Sequence, residues 1–391
     1  MERIKNRSMT LLWAGAAISI AEIYTGGLAA PLGFAKGISA ILLGHLIGGI
    51  LLALCGVISF DKRKNAMETV KDTLGEWGVK IVASLNVLQL LGWSAVMIIQ
   101  GARGINATLG LSYKLSLIIM AIFVFMWSYY FERKSKKIND FAVLTLLILT
   151  CLIFFNIDFE RIIPTGANVS FITVVELSIA MPVSWIPLIG DYTMRGESRK
   201  GVFLSSFFGY FIASSSMYVL GLLITLFTGL DIVQFISSFS VPIVACIIIV
   251  LSTVTTTFLD IYSAVESSKQ IFKFNSTTRM VAVYCFIGFA ISLFFPIVKY
   301  ESFLLTIGSV FIPVYSIVII EYFFIKNKGF NKVNIIGVIF AAIGCILYNY
   351  FIYQGLYMPT VLILGVISIS YYLVARGFKN NKNFKEQRNQ G

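Results

Sequence analysis

Twelve apolar stretches follow one another along this chain, each near the ~20 residues that a helix needs to cross a bilayer, with short polar connections between them. They cover residues 9–32, 38–60, 79–106, 115–131, 141–157, 171–190, 202–227, 241–263, 280–298, 303–325, 335–351 and 360–375. Lipid offers a backbone no hydrogen bonds, so each N–H and C=O must be satisfied within its own segment. The expected fold is therefore all-α, an integral membrane protein of twelve transmembrane helices. Hydrophobic residues make up 58% of the 391 and charged residues 13%, a balance foreign to soluble domains of this length.

The net charge of +12 would suggest nucleic acid if it formed one patch, but it lies in short runs between the apolar stretches. With the N-terminus inside, 26 of the 31 Lys and Arg fall on the inner side. Four, Lys36, Lys114, Arg161 and Lys299, fall outside, and Arg103 lies within span 3. Cationic loops mark the cytoplasmic face. The expectation is a multi-pass protein of the cytoplasmic membrane with both termini in the cytoplasm, whose macromolecular surroundings are the lipid bilayer and not nucleic acid. Arg3, Lys5 and Arg7 ahead of an apolar run imitate a secretory signal. The run is too long and lacks a small-residue cleavage site, so it is expected to stay as span 1. Asn65 with Glu68 three residues on has the form of a capping box, which predicts a short cytoplasmic helix over 66–74. The polar stretch 379–391 is expected to be disordered. Cys55, Cys151, Cys246, Cys285 and Cys345 lie inside apolar segments without paired spacing and are expected to be small core residues.

Spans 1 and 6 are interrupted by Gly and Pro. Span 1 carries Glu22 next to Thr25-Gly26-Gly27, and span 6 runs Glu176-Leu-Ser-Ile-Ala-Met-Pro182-Val-Ser184-Trp185-Ile-Pro187-Leu-Ile-Gly-Asp191. A matched pair of broken helices points to the binding site of a secondary transporter, because an unwound helix exposes backbone groups to a solute. Five crossings separate the two spans, so they enter from opposite sides. That predicts a first inverted repeat over 9–157, a second over 171–325, and two additional helices over 335–375.

Ionisable side chains at membrane depth are costly and imply a task. Glu22 could meet the adjacent amino and ring-nitrogen groups of an aminopyrimidine with two hydrogen bonds, or bond backbone exposed by the break. Glu176 could line the cavity or face outer water, and Asp191 with Arg195 reads as a structural or gating pair. In span 3, Gln89 and Trp93 share a helix face, an amide beside a flat ring on which a heterocycle could stack. Span 8 carries Ser252-Thr-Val-Thr-Thr-Thr257 and then Asp260, oxygens that would suit sodium or simply bond back to their own helix. His45, the only histidine, sits among Gly44, Gly48 and Gly49, a setting for a bond across a close helix contact or for a proton relay. No phosphate-binding glycine loop is present, which argues against ATP-driven transport by this chain.

Ala17-Ile-Ser-Ile20-Ala-Glu22, Gln89-Leu-Leu-Gly-Trp93 and the span 6 run from Pro182 to Arg195 resemble the nucleobase:cation symporter-1 family of purine and pyrimidine permeases. Within it the likeness is greatest to cytosine permease and hydroxymethylpyrimidine transporters. The resemblance implies a leucine-transporter-type 5+5 inverted repeat with broken helices 1 and 6. It implies that Trp93 stacks on the base and that Ser184 makes a polar contact in the span 6 break. It also implies sodium at the carbonyls of Ala17 and Ile20 and the hydroxyls of Thr255 and Thr256. Family members often place Asn in span 8 near the base where this chain has Asp260, and Glu22 is not general among them.

The function expected from the sequence is import of an aminopyrimidine, hydroxymethylpyrimidine foremost, with cytosine or another nucleobase as the alternative. Sodium or a proton would be the coupling ion, and no other cofactor is expected. Glu22, Gln89, Trp93, Ser184, Trp185 and Asp260 are the expected substrate contacts. An amino-acid or amine transporter of the same fold is the second reading. An integral-membrane enzyme is disfavoured, because a single His and scattered Cys supply no facing acid, base or nucleophile.

Overall fold

The computed structural model describes residues 3–134, 136–163, 168–239, 241–326, 329, 332–356 and 358–388. Fifteen α-helices follow in chain order. They are α1 (Asn6–Ala17), α2 (Ile20–Gly27), α3 (Phe34–Lys62), α4 (Ala66–Leu109), α5 (Tyr113–Lys134), α6 (Lys136–Phe155), α7 (Phe171–Ser184) and α8 (Ile186–Thr193). Then come α9 (Arg199–Thr228), α10 (Ile232–Ser237), α11 (Pro242–Ser268), α12 (Thr277–Ser292), α13 (Tyr300–Ile320), α14 (Ile335–Tyr353) and α15 (Pro359–Arg388). Among the described residues, eight helices are long and apolar enough to cross a membrane, and α1 with α2 forms a bent ninth. The shorter apolar helices Tyr113–Tyr129, Leu144–Phe155 and Thr277–Ser292 stand where spans 4, 5 and 9 are expected.

Span 1 bends by 56°. The break is at Ile18 and Ser19, whose backbone leaves the helical region, and not at Gly26-Gly27 as the sequence suggested. Ser19 accepts the amide of Glu22 at 3.2 Å and so starts α2 as its N-cap. The two glycines lie inside or at the end of α2 and serve packing instead. A Cβ on Gly26 would sit 2.1 Å from the carbonyl oxygen of Tyr218, and one on Gly221 would sit 1.8 Å from that of Ile23. Small residues thus bring the backbones of α2 and α9 together, as is usual where lipid supplies no hydrophobic drive between helices.

Span 6 is interrupted more gently, at Trp185, which keeps helical dihedrals between Pro182 and Pro187. The amides of Leu188 and Ile189 both turn to the Trp185 carbonyl, leaving that of Ser184 to accept Gln89 Nε2 at 2.9 Å. The expected cytoplasmic helix forms over residues 66–74 with both capping-box bonds in place, and Gly75, at φ +77°, breaks it from the rest of α4.

Two groups of spans emerge from the contacts. Spans 1, 2, 6 and 7 pack together through α1, α2, α3, α7, α8 and α9, and spans 3, 4, 8 and 9 pack together through α4, α5, α11 and α12. α13 joins α7 to α14 and α15. Glu176 does neither of the things expected of it. Buried, it accepts Tyr348 Oη at 2.9 Å and the amide and hydroxyl of Thr360 at 3.0 and 2.5 Å, tying span 6 to spans 11 and 12. Asp191 accepts the amide of Ala66 at 3.4 Å and is not paired with Arg195. Helix α15 continues to Arg388, into the stretch expected to be disordered. An existing helix extends without a new nucleus, and Lys, Glu, Gln and Arg are good helix formers. The cysteines are free, but only Cys55 and Cys285 are buried, and Cys151 is exposed.

Candidate substrate site

Between the two groups of spans lies a narrow cavity of about 20 Å³, room for about one water, so a larger solute would enter it only as the groups part. Glu22, Trp93, Ser184, Trp185, Thr256 and Asp260 all line it, from four helices and the span 6 break. Each is brought there by local chemistry. The Ser19 cap starts α2 one turn before Glu22, and the proline-flanked break presents Ser184 and Trp185. The four-residue steps Ser252, Thr256 and Asp260 fall on one face of α11.

Trp93 is held by edge contacts to Tyr300 and Phe303, with centroids 5.9 and 5.5 Å apart. Trp185 is held edge-on by Trp13 at 6.3 Å. Both indoles are therefore fixed in orientation, which is what a stacking surface requires. Polar groups at the cavity are left without partners. Trp93 Nε1, Thr256 Oγ1 and Asp260 Oδ2 are buried and make no hydrogen bond within the protein. Buried polar atoms are normally paired, so such a cluster marks a place for a ligand.

Gln89 is not on the cavity wall. Its amide nitrogen donates to Asn86 Oδ1 at 2.7 Å and to the Ser184 carbonyl, and only Oε1 is unpartnered. Its first role is to cap the span 6 break. Glu22 reaches the cavity but its carboxyl turns to α9, accepting Tyr210 Oη and meeting Ser214 Oγ, each at 2.7 Å. Ser214 Oγ in turn meets His45 Nε2 at 2.6 Å, and His45 Nδ1 lies 2.9 Å from the Ile41 carbonyl. Sequence reasoning left Tyr210 and Ser214 out of the site. Their signal was available as two polar residues four apart within apolar span 7, though alone it is weak.

Of the groups expected to hold sodium, Thr255 and Ala17 carry hydrogen bonds within the protein and Thr256 Oγ1 carries none. Beside them, Ser252 Oγ accepts the Ile20 amide at 2.9 Å and fixes the start of α2 against α11. Thr255 turns back on its own helix, donating to Leu251 at 2.8 Å, and the Ala17 carbonyl accepts the Ser19 amide at 3.1 Å. Only Thr256 keeps a free hydroxyl. A hydroxyl that donates its hydrogen and a carbonyl that accepts one bond each keep a lone pair, so these bonds do not decide for or against a cation.

Two structures of the transporter Mhp1 share this architecture. Its inward-facing conformation matches with a TM-score of 0.80 at 18% identity, covering 97% of this chain and 92% of that one. Mhp1 is described as a nucleobase-cation-symport-1 family transporter. Its closed conformation with bromovinylhydantoin bound matches with a TM-score of 0.75 at 17% identity, covering 95% and 91%. The fold is that of a nucleobase-cation-symport-1 transporter. In sequence, the chain is 21% identical over 232 residues to the vitamin B6 transporter TPN1 of Saccharomyces cerevisiae, a match covering 54% of this chain and 40% of that protein. No protein-family model matches. The proteins that share the nucleobase-cation-symport-1 architecture or this sequence likeness are transporters, not enzymes, and the chain is a multi-pass membrane protein with the fold of a secondary transporter.

Proposed function

We propose that the chain imports a planar, amino-bearing heterocycle, hydroxymethylpyrimidine foremost, by cation-coupled alternating access between its two groups of spans. The single observation that carries this reading is the convergence of Trp93 Nε1, Thr256 Oγ1 and Asp260 Oδ2, buried and unpartnered, on a cavity walled by two fixed indoles. A ring stacked on Trp93 or Trp185 would give its amino group to Asp260 and accept at a ring nitrogen from the indole N–H or the threonine. An oxo-base, rich in carbonyl acceptors, would set oxygen against the Asp260 carboxylate. Asp260 thereby takes the role that the sequence suggested for Glu22.

Cytosine satisfies the same donors and acceptors and is the alternative among nucleobases. A second reading is a hydroxymethylated pyridine, favoured by the likeness to a vitamin B6 transporter. The amino-acid reading is weakened by the α2 N-terminus, where a substrate carboxylate would bind. The amides of Ile20, Glu22 and Ile23 there are already bonded to Ser252 or Ser19. The inner-side excess of Lys and Arg supports a cytoplasmic-membrane location with both termini inside.

The test is uptake of labelled hydroxymethylpyrimidine by reconstituted protein under a sodium gradient, a matched pH gradient and neither, with cytosine, pyridoxine and amino acids as competitors. Pyrimidines and pyridines should compete, and amino acids should not. Asp260→Asn should cut kcat/KM roughly 10- to 100-fold, the worth of a hydrogen bond to a charged group. Saturable uptake unchanged by both Asp260→Asn and Trp93→Ala in folded protein would sink the assignment of the site.

A further inference from the structure

The hydrogen bonds behind Glu22 contain a count of protons. The Ile41 carbonyl can only accept, so His45 Nδ1, 2.9 Å away, carries a hydrogen. Ser214 has one hydroxyl hydrogen, yet its oxygen meets two groups with lone pairs, His45 Nε2 at 2.6 Å and Glu22 Oε2 at 2.7 Å. One hydrogen cannot fill both contacts. If Ser214 donates to Nε2, Glu22 must carry a proton and donate to Ser214. If Ser214 donates to Glu22, Nε2 must carry a proton and donate to Ser214. Either way the chain holds one proton beyond a neutral imidazole and an ionised carboxylate, and its net charge is zero.

Removing that proton would leave two lone pairs facing each other at hydrogen-bond distance. It would also leave a bare carboxylate in a site where Glu22 and His45 are 2% and 0% exposed, and no Lys or Arg is among the buried described residues. An uncompensated buried charge is strongly unfavourable. The titratable side chains around the chain do not supply compensation. Tyr210 donates to Glu22 Oε1, and Tyr218 stands edge-on to His45 with centroids 4.5 Å apart. Tyr300 is bonded to Thr25 at 2.7 Å, and Tyr24 packs on Tyr300. Asp260 of α11 shares the cavity, Arg103 of α4 is paired with Asp231 before α10, and Glu176 of α7 is bound by Tyr348 and Thr360.

We propose that Glu22, Ser214 and His45 form a binding site for one proton, and that this proton is the coupling ion of the transport cycle. The proposal rests on the transport reading above and chooses the proton where the sequence left sodium or a proton open. The three residues belong to spans 1, 7 and 2, so the proton closes contacts among three helices of one group. Within the site it moves by a concerted relay. The Glu22 O–H bond breaks as Ser214 takes that hydrogen, and the Ser214 O–H bond breaks as Nε2 takes its own, leaving the serine unchanged. Loss of the proton to one side of the membrane disrupts the contact between α2, α3 and α9, and Glu22 carries that change to the cavity wall.

His45 is the only histidine, so protein labelled with 15N-histidine gives one imidazole whose two nitrogens report the site directly, without any substrate. The expected result is a hydrogen on Nδ1 in the native protein and, in Glu22→Gln, a hydrogen on Nδ1 with Nε2 bare, since the amide mimics the protonated carboxyl. A neutral ring with its hydrogen on Nε2 alone would overturn the proposal. In proteoliposomes, an internal pH dye should report acidification accompanying uptake of labelled hydroxymethylpyrimidine, or of pyridoxine if that is the heterocycle taken up. A one-unit pH gradient coupled to one proton should sustain about tenfold accumulation. In Glu22→Gln the ratio of driven accumulation to equilibrium exchange should fall about tenfold, that whole gain being lost. Uptake without acidification, or an unchanged ratio in the variant, refutes the proton site while sparing the transport reading. Absence of uptake for every heterocycle refutes the substrate reading, and a ring with its hydrogen on Nε2 alone would still refute the proton site independently.

Discussion

Asp260 and Gln89 show how differently two buried polar residues in facing spans are used. Asp260 keeps an oxygen free at the cavity, whereas Gln89 holds a carbonyl that the span 6 break would otherwise strand. Gln89→Leu should therefore lower stability by about 1–3 kcal/mol through the unmet Ser184 carbonyl, read as a fall in melting temperature of the detergent-solubilised protein. Thr256→Val removes a hydroxyl that bonds nothing within the protein. Its melting temperature should hold, while substrate affinity falls roughly two- to tenfold, the worth of one neutral hydrogen bond; equal losses of stability and affinity would contradict that assignment. The sequence named Trp93, Ser184, Trp185 and Asp260 because aromatic and polar residues at membrane depth are conspicuous. It could not say where each polar head turns. A carboxyl near a broken helix, such as Glu22, has the same pattern whether it faces solute or a neighbouring span.

Among the elements, the succession of helices was legible because bilayer thickness and backbone satisfaction leave few alternatives. The position of the span 1 break was not. Glycine signals both a bend and a close contact, and here Gly26 marks the contact while the less conspicuous Ser19 marks the bend. Gly221→Ala should displace α2 from α9, because the added carbon would fall 1.8 Å from a backbone oxygen that cannot swing aside. The expected outcome is little or no monodisperse protein on size-exclusion chromatography, with Gly365→Ala, which meets nothing within 4 Å, as the tolerated control. Gly75→Ala should cost about 1–3 kcal/mol, since φ +77° with ψ near 180° is open to glycine alone and a Cβ would also meet Lys332 at 2.6 Å. Thermal denaturation checks that value.

At the scale of the whole molecule, spans 1, 2, 6 and 7 contact one another as spans 3, 4, 8 and 9 do, and the cavity lies between the groups. Each repeat supplies corresponding members to both, the arrangement expected if alternating access moves one group against the other. Topology is checked by cysteine labelling on a background without the native cysteines. Replacements of Lys64 and Lys273 should react only from the cytoplasmic side, and those of Lys114 and Glu301 only from outside; the reverse pattern would invert the orientation drawn from the charges. Glu176 ties span 6 to α14 and α15, whose apolar stretches are each only 17% buried and whose Ile346, Ile369 and Leu373 face outward. Under the proposed alternating access, a helix that would rock in each cycle is thus moored to the helices that the rest of the protein covers least. Bilayer thickness then becomes a mechanical load on turnover, since mismatch costs fractions of a kcal/mol per ångström. Phosphatidylcholines of increasing acyl length should change the rate steeply in the native protein and less in Tyr348→Phe, which makes the surrounding lipid a working part of the transporter.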